Sequence, residues 1–198
     1  CGSDIGIYHG TNAAATYPRI IGHEIVGRVE ETGAGVQNLK PGDRVIVNQV
    51  TSCGECYPCR KGRGNVCDHL AVRGVHIDGG YREYLAVPES DCYLLPDFIS
   101  DRDAVMIEPT TIAIQSCTRA ELERDDMLLL YGAGALGSSI LRVARQLCDH
   151  IIVADVVNEK LEEAKKAGAS YTINVLEEDF QAKVLEYTHG RGSTVSID

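Results

Sequence analysis

The sequence predicts an α/β protein in two parts, a β-rich first half and a second half built on a parallel sheet. The first half is rich in glycine and β-branched residues, and its apolar residues alternate over short stretches. The second half alternates short apolar runs with stretches of helical apolar spacing. Strands that alternate with helices are typical of a parallel sheet.

The predicted elements follow the chain in this order. Strands are expected in the first half at 24–32, 44–47, 81–87 and 92–95. One helix, 101–117, is expected to bridge the two halves. The second half is expected to contain strands at 127–131, 151–154, 171–174 and 194–197, and helices at 136–147, 159–167 and 180–187.

Chain length and net charge limit the number of domains and the kinds of ligand that this protein can have. The 198 residues suffice for one large or two small domains, and a net charge of -10 disfavours nucleic-acid binding. No apolar run approaches a membrane span and no signal peptide opens the chain, which predicts a cytoplasmic protein with reduced cysteines and no membrane partner. Because the chain starts at Cys1 and ends just after a strand-like run, we expect it to be a piece of a longer protein.

Four cysteines interrupt the β-rich half at spacings of three, three and eight: Cys53, Cys56, Cys59 and Cys67. Glycines and a proline between them supply tight turns, so four sulfurs can close a tetrahedron around Zn²⁺. Such a closed shell leaves no position for substrate, and this zinc is expected to be structural. Two disulfides or four unrelated core cysteines are the alternatives.

A glycine-rich turn lies between the first apolar run of the second half and the helix after it. Gly132, Gly134 and Gly137 form the pattern GxGxxG, in which the glycines allow a tight turn, the approach of a pyrophosphate and close helix packing. Free N–H groups at the helix start favour phosphate binding. A glycine turn without any dinucleotide is the alternative.

An acidic residue in the same region predicts which dinucleotide is bound. Asp155 ends the second strand eighteen residues after Gly137, where its carboxylate would accept hydrogen bonds from the ribose hydroxyls and repel a 2′-phosphate. Val156 and Val157 follow, without an arginine to hold such a phosphate. The sequence therefore favours NAD over NADP, although Asp155 could instead cap a loop.

A second metal site is suggested by residues that lie far apart in the sequence. One thiolate, one imidazole and one or two carboxylates can bind Zn²⁺ and leave a position open. The candidates are Cys1, His23, Glu24 and Glu108. Each has another explanation: a small buried thiol, a core histidine, a partner for Arg19, or an acid at a helix start.

With GHE at 22–24, the cysteine lobe, GGYREY at 79–84 and the dinucleotide turn, the chain resembles the medium-chain zinc-dependent alcohol dehydrogenases. The likeness covers essentially the whole chain in order. Glu108, where the liver-type enzymes carry a cysteine, resembles the polyol and sugar-acid branch, which includes sorbitol, galactitol-phosphate, galactonate and threonine dehydrogenases. The resemblance implies a GroES-like catalytic domain at 1–115, lacking its N-terminal strands, and a partial Rossmann domain at 116–198, lacking its C-terminal half.

The resemblance also implies a mechanism and roles for individual residues. A catalytic zinc would stabilise an alkoxide that passes hydride to NAD. Cys1 and His23 would bind this zinc, with Glu24 and Glu108 as unranked carboxylate candidates. Ser3 matches a hydroxyl that carries the substrate proton away, and Asp4 matches a carboxylate that supports the histidine. Two positions match cofactor-binding residues, the nicotinamide neighbour Thr111 and the ribose lysine Lys160, which could equally be a solvated helix residue.

One position departs from the family pattern. Many relatives carry a histidine five positions after the first ligand cysteine, where this sequence has Gly6. Either a water or His9 completes the proton relay, or proton release is slower.

Three functions remain open from the sequence. The first is an NAD- and zinc-dependent dehydrogenase of a polyol, sugar acid or sugar phosphate, and the second is a reductase or dehydrogenase of simple alcohols and aldehydes. The third is a non-catalytic, zinc-stapled nucleotide-binding module. The expected partner is a small alcohol or polyol substrate, and a full-length enzyme of this kind is expected to form a homo-oligomer.

Overall fold

The computed structural model describes all 198 residues, Cys1–Asp198. They form two compact units, Cys1–Ile107 and Glu108–Asp198. No helix in either unit has the length and the apolar composition required to cross a membrane.

The first unit is built from short helices and strands, and the cysteine lobe lies between β3 and β4 along the chain. Two 3₁₀ turns, Gly64–Val66 and Glu89–Asp91, accompany them. Its helices and strands are α1 (Gly2–Tyr8), β1 (Ile25–Arg28), β2 (Arg44–Val47), β3 (Val50–Thr51), α2 (Tyr57–Arg60), β4 (Ala71–Val72), β5 (Cys92–Leu94) and α3 (Asp101–Ala104).

Antiparallel pairing organises the strands of the first unit. A three-stranded sheet has the order β1-β2-β5, and β3 pairs with β4 beside the cysteines. The central strand β2 alternates buried Val45 and Val47 with partly exposed residues, which is the pattern of a strand with one face on a core. The expected strands at 44–47 and 92–95 are confirmed to within a residue, and the one expected at 24–32 is shorter.

The strand expected at 81–87 is wrong. The chain bends after Tyr81, where the N–H of Arg82 donates to the carbonyl of Gly80 at 2.7 Å, and the residues that follow are not in a ladder. The aromatic residues that suggested a strand, Tyr81 and Tyr84, are 68% and 70% exposed. Their alternation therefore does not mark a buried sheet face.

The second unit contains the parallel sheet. Its strands lie in the order β8-β7-β6-β9 and all three pairings are parallel, as the sequence predicts. Its elements are α4 (Ile107–Arg119), β6 (Met127–Tyr131), α5 (Ala135–Ala144), β7 (His150–Asp155), α6 (Asn158–Ala167), β8 (Tyr171–Asn174), α7 (Phe180–Tyr187) and β9 (Val195–Ile197).

The single helix expected at 101–117 is replaced by two helices, α3 and α4. Ser100 caps α3 by accepting the N–H of Asp103, and this helix ends at Ala104. Val105 and Met106 form a turn between α3 and α4, so the helical spacing that suggested one helix continues across a break in the helical backbone.

Both faces of the parallel sheet are buried, which explains its continuously apolar strands. Leu128, Leu130, Ile151 and Val153 belong to one cluster, which includes side chains of α5 and α6. Leu129, Ile152 and Ile173 belong to a second cluster, which includes Val184 of α7. Alternate residues of each strand therefore contribute to opposite layers of the core.

Substitution at the centre of this sheet tests the packing. Ile152 is fully buried, so Ile152→Ala is expected to lower the free energy of unfolding by about 2–5 kcal/mol. Leu176, which is 77% exposed, provides the control, and Leu176→Ala is expected to change it by less than about 0.5 kcal/mol. The free energy of unfolding is measured by denaturant titration of both variants. An equal decrease in the two would contradict a core centred on Ile152.

Candidate metal and dinucleotide sites

The four cysteines of the lobe converge in space. One sulfur from each lies within 4.8 Å of the others. The first two come from the turn before α2, the third from α2 itself, and Cys67 follows the 3₁₀ turn Gly64–Val66. The sequence expectation that this spacing gathers four sulfurs into one cluster agrees with this geometry.

The dimensions of the cluster fit a zinc tetrahedron. A Zn–S bond of about 2.3 Å implies sulfur–sulfur edges of about 3.8 Å. The sulfur of Cys67 lies 3.7 Å from that of Cys56 and 3.4 Å from that of Cys53. These separations are far longer than a disulfide bond of about 2.05 Å. All eight cysteines of the chain are free thiols, which argues against the disulfide alternative.

Backbone N–H groups point at the sulfurs of this cluster. The N–H groups of Cys53 and His69 both donate to the sulfur of Cys67 at 3.3 Å. Hydrogen bonds from Cys59 and Asp68 lower the pKa of Cys56 to about 7, whereas burial raises the pKa of Cys59 to about 12. The backbone N–H donors stabilise the thiolate forms of these cysteines. A metal that binds the cluster would displace the protons of the cysteines that are still thiols.

A second group of ligand atoms forms within the same unit. Cys1, His23 and Glu24 each place one ligand atom within 4.8 Å of the others. His23 is 8% exposed, and its Nδ1 lies 3.3 Å from Oδ1 of Asp4 without the geometry of a hydrogen bond. Asp4 therefore lies on the Nδ1 side of the ring. A thiolate, an imidazole and a carboxylate form a donor set that suits Zn²⁺ with an open position.

Two features of the fold position His23. Asp4, 5% exposed on α1, accepts the N–H of Gly22 at 3.0 Å. The segment before the histidine is bonded to the GGY turn, where Gly79 donates to Ile20 at 2.7 Å. A Cβ at Gly79 would lie 2.1 Å from the carbonyl oxygen of Gly22, so only glycine allows this approach.

The remaining residues expected near this site have local contacts of their own. Ser3 Oγ donates to the sulfur of Cys1 at 3.4 Å. Gly6 lies within α1, where an added Cβ would meet only Thr11 Oγ1 at 3.5 Å, and His9 caps the end of the same helix. There is room for a side chain at Gly6, so its absence is not a steric requirement of the backbone.

Glu108 and Thr111 lie in the first turns of α4, in the second unit. Thr111 Oγ1 donates to the carbonyl of Glu108 at 2.7 Å, which ties the hydroxyl to its own helix. The roles predicted for both residues stay predictions.

The glycine turn has the shape that dinucleotide binding requires. Gly132 has φ +83°, a conformation that favours glycine. A Cβ at Gly137 would lie 2.0 Å from the carbonyl oxygen of Gly132, so the turn packs directly on α5. At Gly134 a Cβ would meet nothing within 4 Å, and no side chain caps α5. The helix N–H groups and an open approach are therefore left for a phosphate.

Asp155 links this turn to the end of β7. Its Oδ2 accepts the N–H of Ala133 at 2.6 Å, and its Oδ1 accepts those of Val156 at 2.7 Å and Val157 at 2.9 Å. Burial raises the pKa of this carboxyl, but the three N–H groups outweigh burial and hold the pKa below its usual value. The positive charge of Lys160 also lowers the pKa of this carboxyl.

Sequence reasoning missed a polar network beside this carboxylate. It connects Asn158 at the start of α6, Asn174 at the end of β8, and Glu177 in the loop that follows. The only sign of this network in the sequence is an asparagine, Asn174, at the end of a predicted strand. Its partner Asn158 is sixteen residues away, and Asn158 is nineteen residues from Glu177.

The fold and the two clusters define a class of protein that combines a metal-binding β domain with a dinucleotide-binding sheet. The family model described as "Alcohol dehydrogenase GroES-like domain" matches residues 1–97, and "Zinc-binding dehydrogenase" matches residues 135–198. The chain belongs to the zinc-binding alcohol dehydrogenase family.

Individual relatives agree with this assignment. The starvation-sensing protein RspB of Escherichia coli (strain K12) is 47% identical over 88% of this chain and 52% of its own length. A sorbitol dehydrogenase of Bacillus subtilis (strain 168) is 32% identical over 99% of this chain and 57% of its own length. The chain thus spans about half the length of the curated relatives it matches.

A solved structure extends the likeness to three dimensions. It is described as a short chain alcohol dehydrogenase from Escherichia coli CFT073 complexed with NADH. It is 43% identical, has a TM-score of 0.87, and aligns over 95% of this chain and 56% of its own.

Zinc content tests the cysteine lobe. Cys56→Ser removes one thiolate from the tetrahedron, so the protein is expected to lose one zinc per chain, measured by elemental analysis after gel filtration. Cys92→Ser is the matched control, since Cys92 lies outside the cluster. Full zinc content in Cys56→Ser, or an equal loss in both variants, would contradict the assignment.

Proposed function

We propose that the protein is a zinc-dependent oxidoreductase that transfers a hydride between the CH–OH group of a polyol, sugar acid or sugar phosphate and NAD. The observation that carries this proposal is the presence in one chain of the Cys1–His23–Glu24 group and a glycine turn anchored by Asp155. The first supplies ligands for an open metal site, and the second supplies a place for a dinucleotide.

The domains and the setting of the protein are part of the same proposal. Residues 1–115 would form the catalytic domain and residues 116–198 the NAD-binding part. We further propose that the protein acts in the cytoplasm and that the whole enzyme assembles as a homo-oligomer.

The residues of the first unit would bind the metal and relay the proton of the alcohol substrate. Zinc bound there supplies a Lewis acid that lowers the pKa of an alcohol oxygen. Cys1 and His23 would hold it, with Glu24 as the carboxylate of this unit. Glu108, which belongs to the second unit, stays the alternative carboxylate. Asp4, which lies 3.3 Å from Nδ1 of His23, would orient the ring, as carboxylates beside metal-bound histidines do. The Ser3 hydroxyl, hydrogen-bonded to Cys1, would accept the alcohol proton while releasing its own proton towards water, so that it relays the proton without keeping it.

The residues of the second unit would hold the cofactor, which supplies the hydride acceptor. The uncapped start of α5 would bind the pyrophosphate, and the open face at Gly134 allows it to approach. Asp155 would accept a hydroxyl of the adenosine ribose on the lone pair of Oδ2 that its three backbone donors leave free. Lys160 would contact the same sugar. Thr111 would lie near the nicotinamide.

A substrate panel tests the reaction. NADH formation is expected with polyols, aldonic acids, sugar phosphates or threonine, with kcat/KM at least about tenfold above that for ethanol. NAD is expected to be preferred over NADP, since Asp155 repels a 2′-phosphate. A higher kcat/KM with NADP, or with simple alcohols, would contradict the proposal.

Two alanine variants separate phosphate binding from packing. At Gly134 an added Cβ has space within the protein, so Gly134→Ala is expected to keep the thermal stability while weakening NADH binding by about tenfold or more. At Gly137 the Cβ would collide with Gly132, so Gly137→Ala is expected to lose both. Calorimetry measures both quantities, and unchanged NADH affinity in Gly134→Ala would show that the turn does not bind the pyrophosphate.

A further inference from the structure

A chain of side-chain hydrogen bonds joins the loops that follow β7 and β8. Asn174, the 5% exposed last residue of β8, donates from Nδ2 to Oδ1 of Asn158 at 2.7 Å. Asn158 in turn donates from Nδ2 to Oε1 of Glu177 at 3.0 Å. The carboxylate of Glu177 is therefore fixed to the start of α6, three residues after Asp155.

The backbone of the two loops is linked in the same place. The N–H of Val175 donates to the carbonyl of Asp155 at 3.1 Å, and Asn174 lies opposite Asp155 in the strand register. Oδ1 of Asn174 accepts the N–H of Leu176 at 3.0 Å, which shapes the turn that carries Glu177. The side chain of Asn174 therefore contacts both loops. Its oxygen accepts the N–H of Leu176 in the loop after β8, and its nitrogen donates to Asn158 after β7.

The charges at this edge of the sheet are mainly negative. Asp155, Glu177 and Glu178 lie at the carboxyl ends of β7 and β8, and Glu178 also accepts the N–H of Asn174 at 2.8 Å. Two lysines act on these groups, Lys160 on Asp155 and Lys183 on Glu178, and the carboxylates outnumber them. A further acid, Glu159, lies in the first turn of α6. A phosphate group placed beside the ends of β7 and β8 would meet net repulsion.

We infer that Glu177 is a second determinant of cofactor selection, one that disfavours the 2′-phosphate of NADP at the site where Asp155 accepts the ribose of NAD. This inference rests on the proposed function, since it takes the glycine turn to bind a dinucleotide. NAD presents neutral hydroxyls at this point and NADP a dianion, so a fixed carboxylate nearby raises the free energy of the NADP complex alone. Asn158 is the positioning residue, because it holds Glu177 beside the loop.

A charge-neutral variant of nearly the same shape tests the role of Glu177. Glu177→Gln keeps an oxygen that can accept from Asn158 and removes the charge. Calorimetric titration with NADH and with NADPH is expected to show NADPH affinity rising about three- to tenfold while NADH affinity changes by less than about twofold. The gain should shrink as salt concentration rises, because ions screen the repulsion.

The matched control removes the same charge at the other edge of the sheet. Glu123 is exposed and precedes β6, so it lies at the amino end of the strands. Glu123→Gln is expected to leave the ratio of NADH to NADPH affinity unchanged. An equal shift in this variant would show that net charge, and not the position of Glu177, sets the ratio.

A double-mutant cycle tests whether Asn158 acts through Glu177. Asn158→Ala frees the carboxylate from its donor, so the effect of Glu177→Gln on the affinity ratio is expected to fall to less than about half of its value in the parent protein. Full additivity of the two changes would contradict the positioning role.

The wild-type titration separates this inference from the proposed function. A folded protein that does not bind NADH would overturn the dinucleotide site itself. Wild-type protein that binds NADH, together with a Glu177→Gln variant whose NADPH affinity is unaltered, would overturn the role of Glu177 alone and leave it as a purely structural partner of Asn158.

Discussion

The carboxylate of Asp155 is the interaction on which the dinucleotide-binding half depends. One oxygen accepts the N–H of Ala133 inside the glycine turn, and the other accepts the two N–H groups that follow β7. Charge-assisted bonds of this kind are about twice as strong as neutral ones. They tie the end of the second strand to the turn after the first, so the groups proposed to bind pyrophosphate and ribose have fixed positions relative to each other.

Asp4 has the corresponding role in the metal-binding half. This buried carboxylate accepts the N–H of Gly22 and lies beside Nδ1 of the next residue, His23. Asp4 and Asp155 thus act alike. Each accepts a backbone N–H group at its site, that of Gly22 before His23 for Asp4 and that of Ala133 in the glycine turn for Asp155. An ionised carboxylate is costly to bury without such donors, which ties the local fold to the chemistry of the site.

The sequence predicts best where a residue pattern and a local fold have the same cause. Strand 127–131 and helix 180–187 match the structure because one element is buried on both faces and the other is amphipathic. The cysteine lobe and the glycine turn are likewise local. The sequence did not predict helix α1, because Gly2 and Gly6 lower its helix propensity. Its position also depends on the hydrogen bond between Asp4 and Gly22, which are eighteen residues apart. The Asn174–Asn158–Glu177 network depends on two loops that only the folded sheet brings together.

The proposed dehydrogenase chemistry requires a reactive metal held by the side chains of Cys1 and His23, in addition to the metal of the cysteine lobe. Anomalous diffraction at the zinc edge from crystals of the zinc-loaded protein measures this directly. Two peaks per chain are expected, one among the four cysteine sulfurs and one between Cys1 and His23. A single peak at the lobe, with His23 unligated, would contradict the dehydrogenase mechanism and favour a zinc-stapled module without catalytic metal.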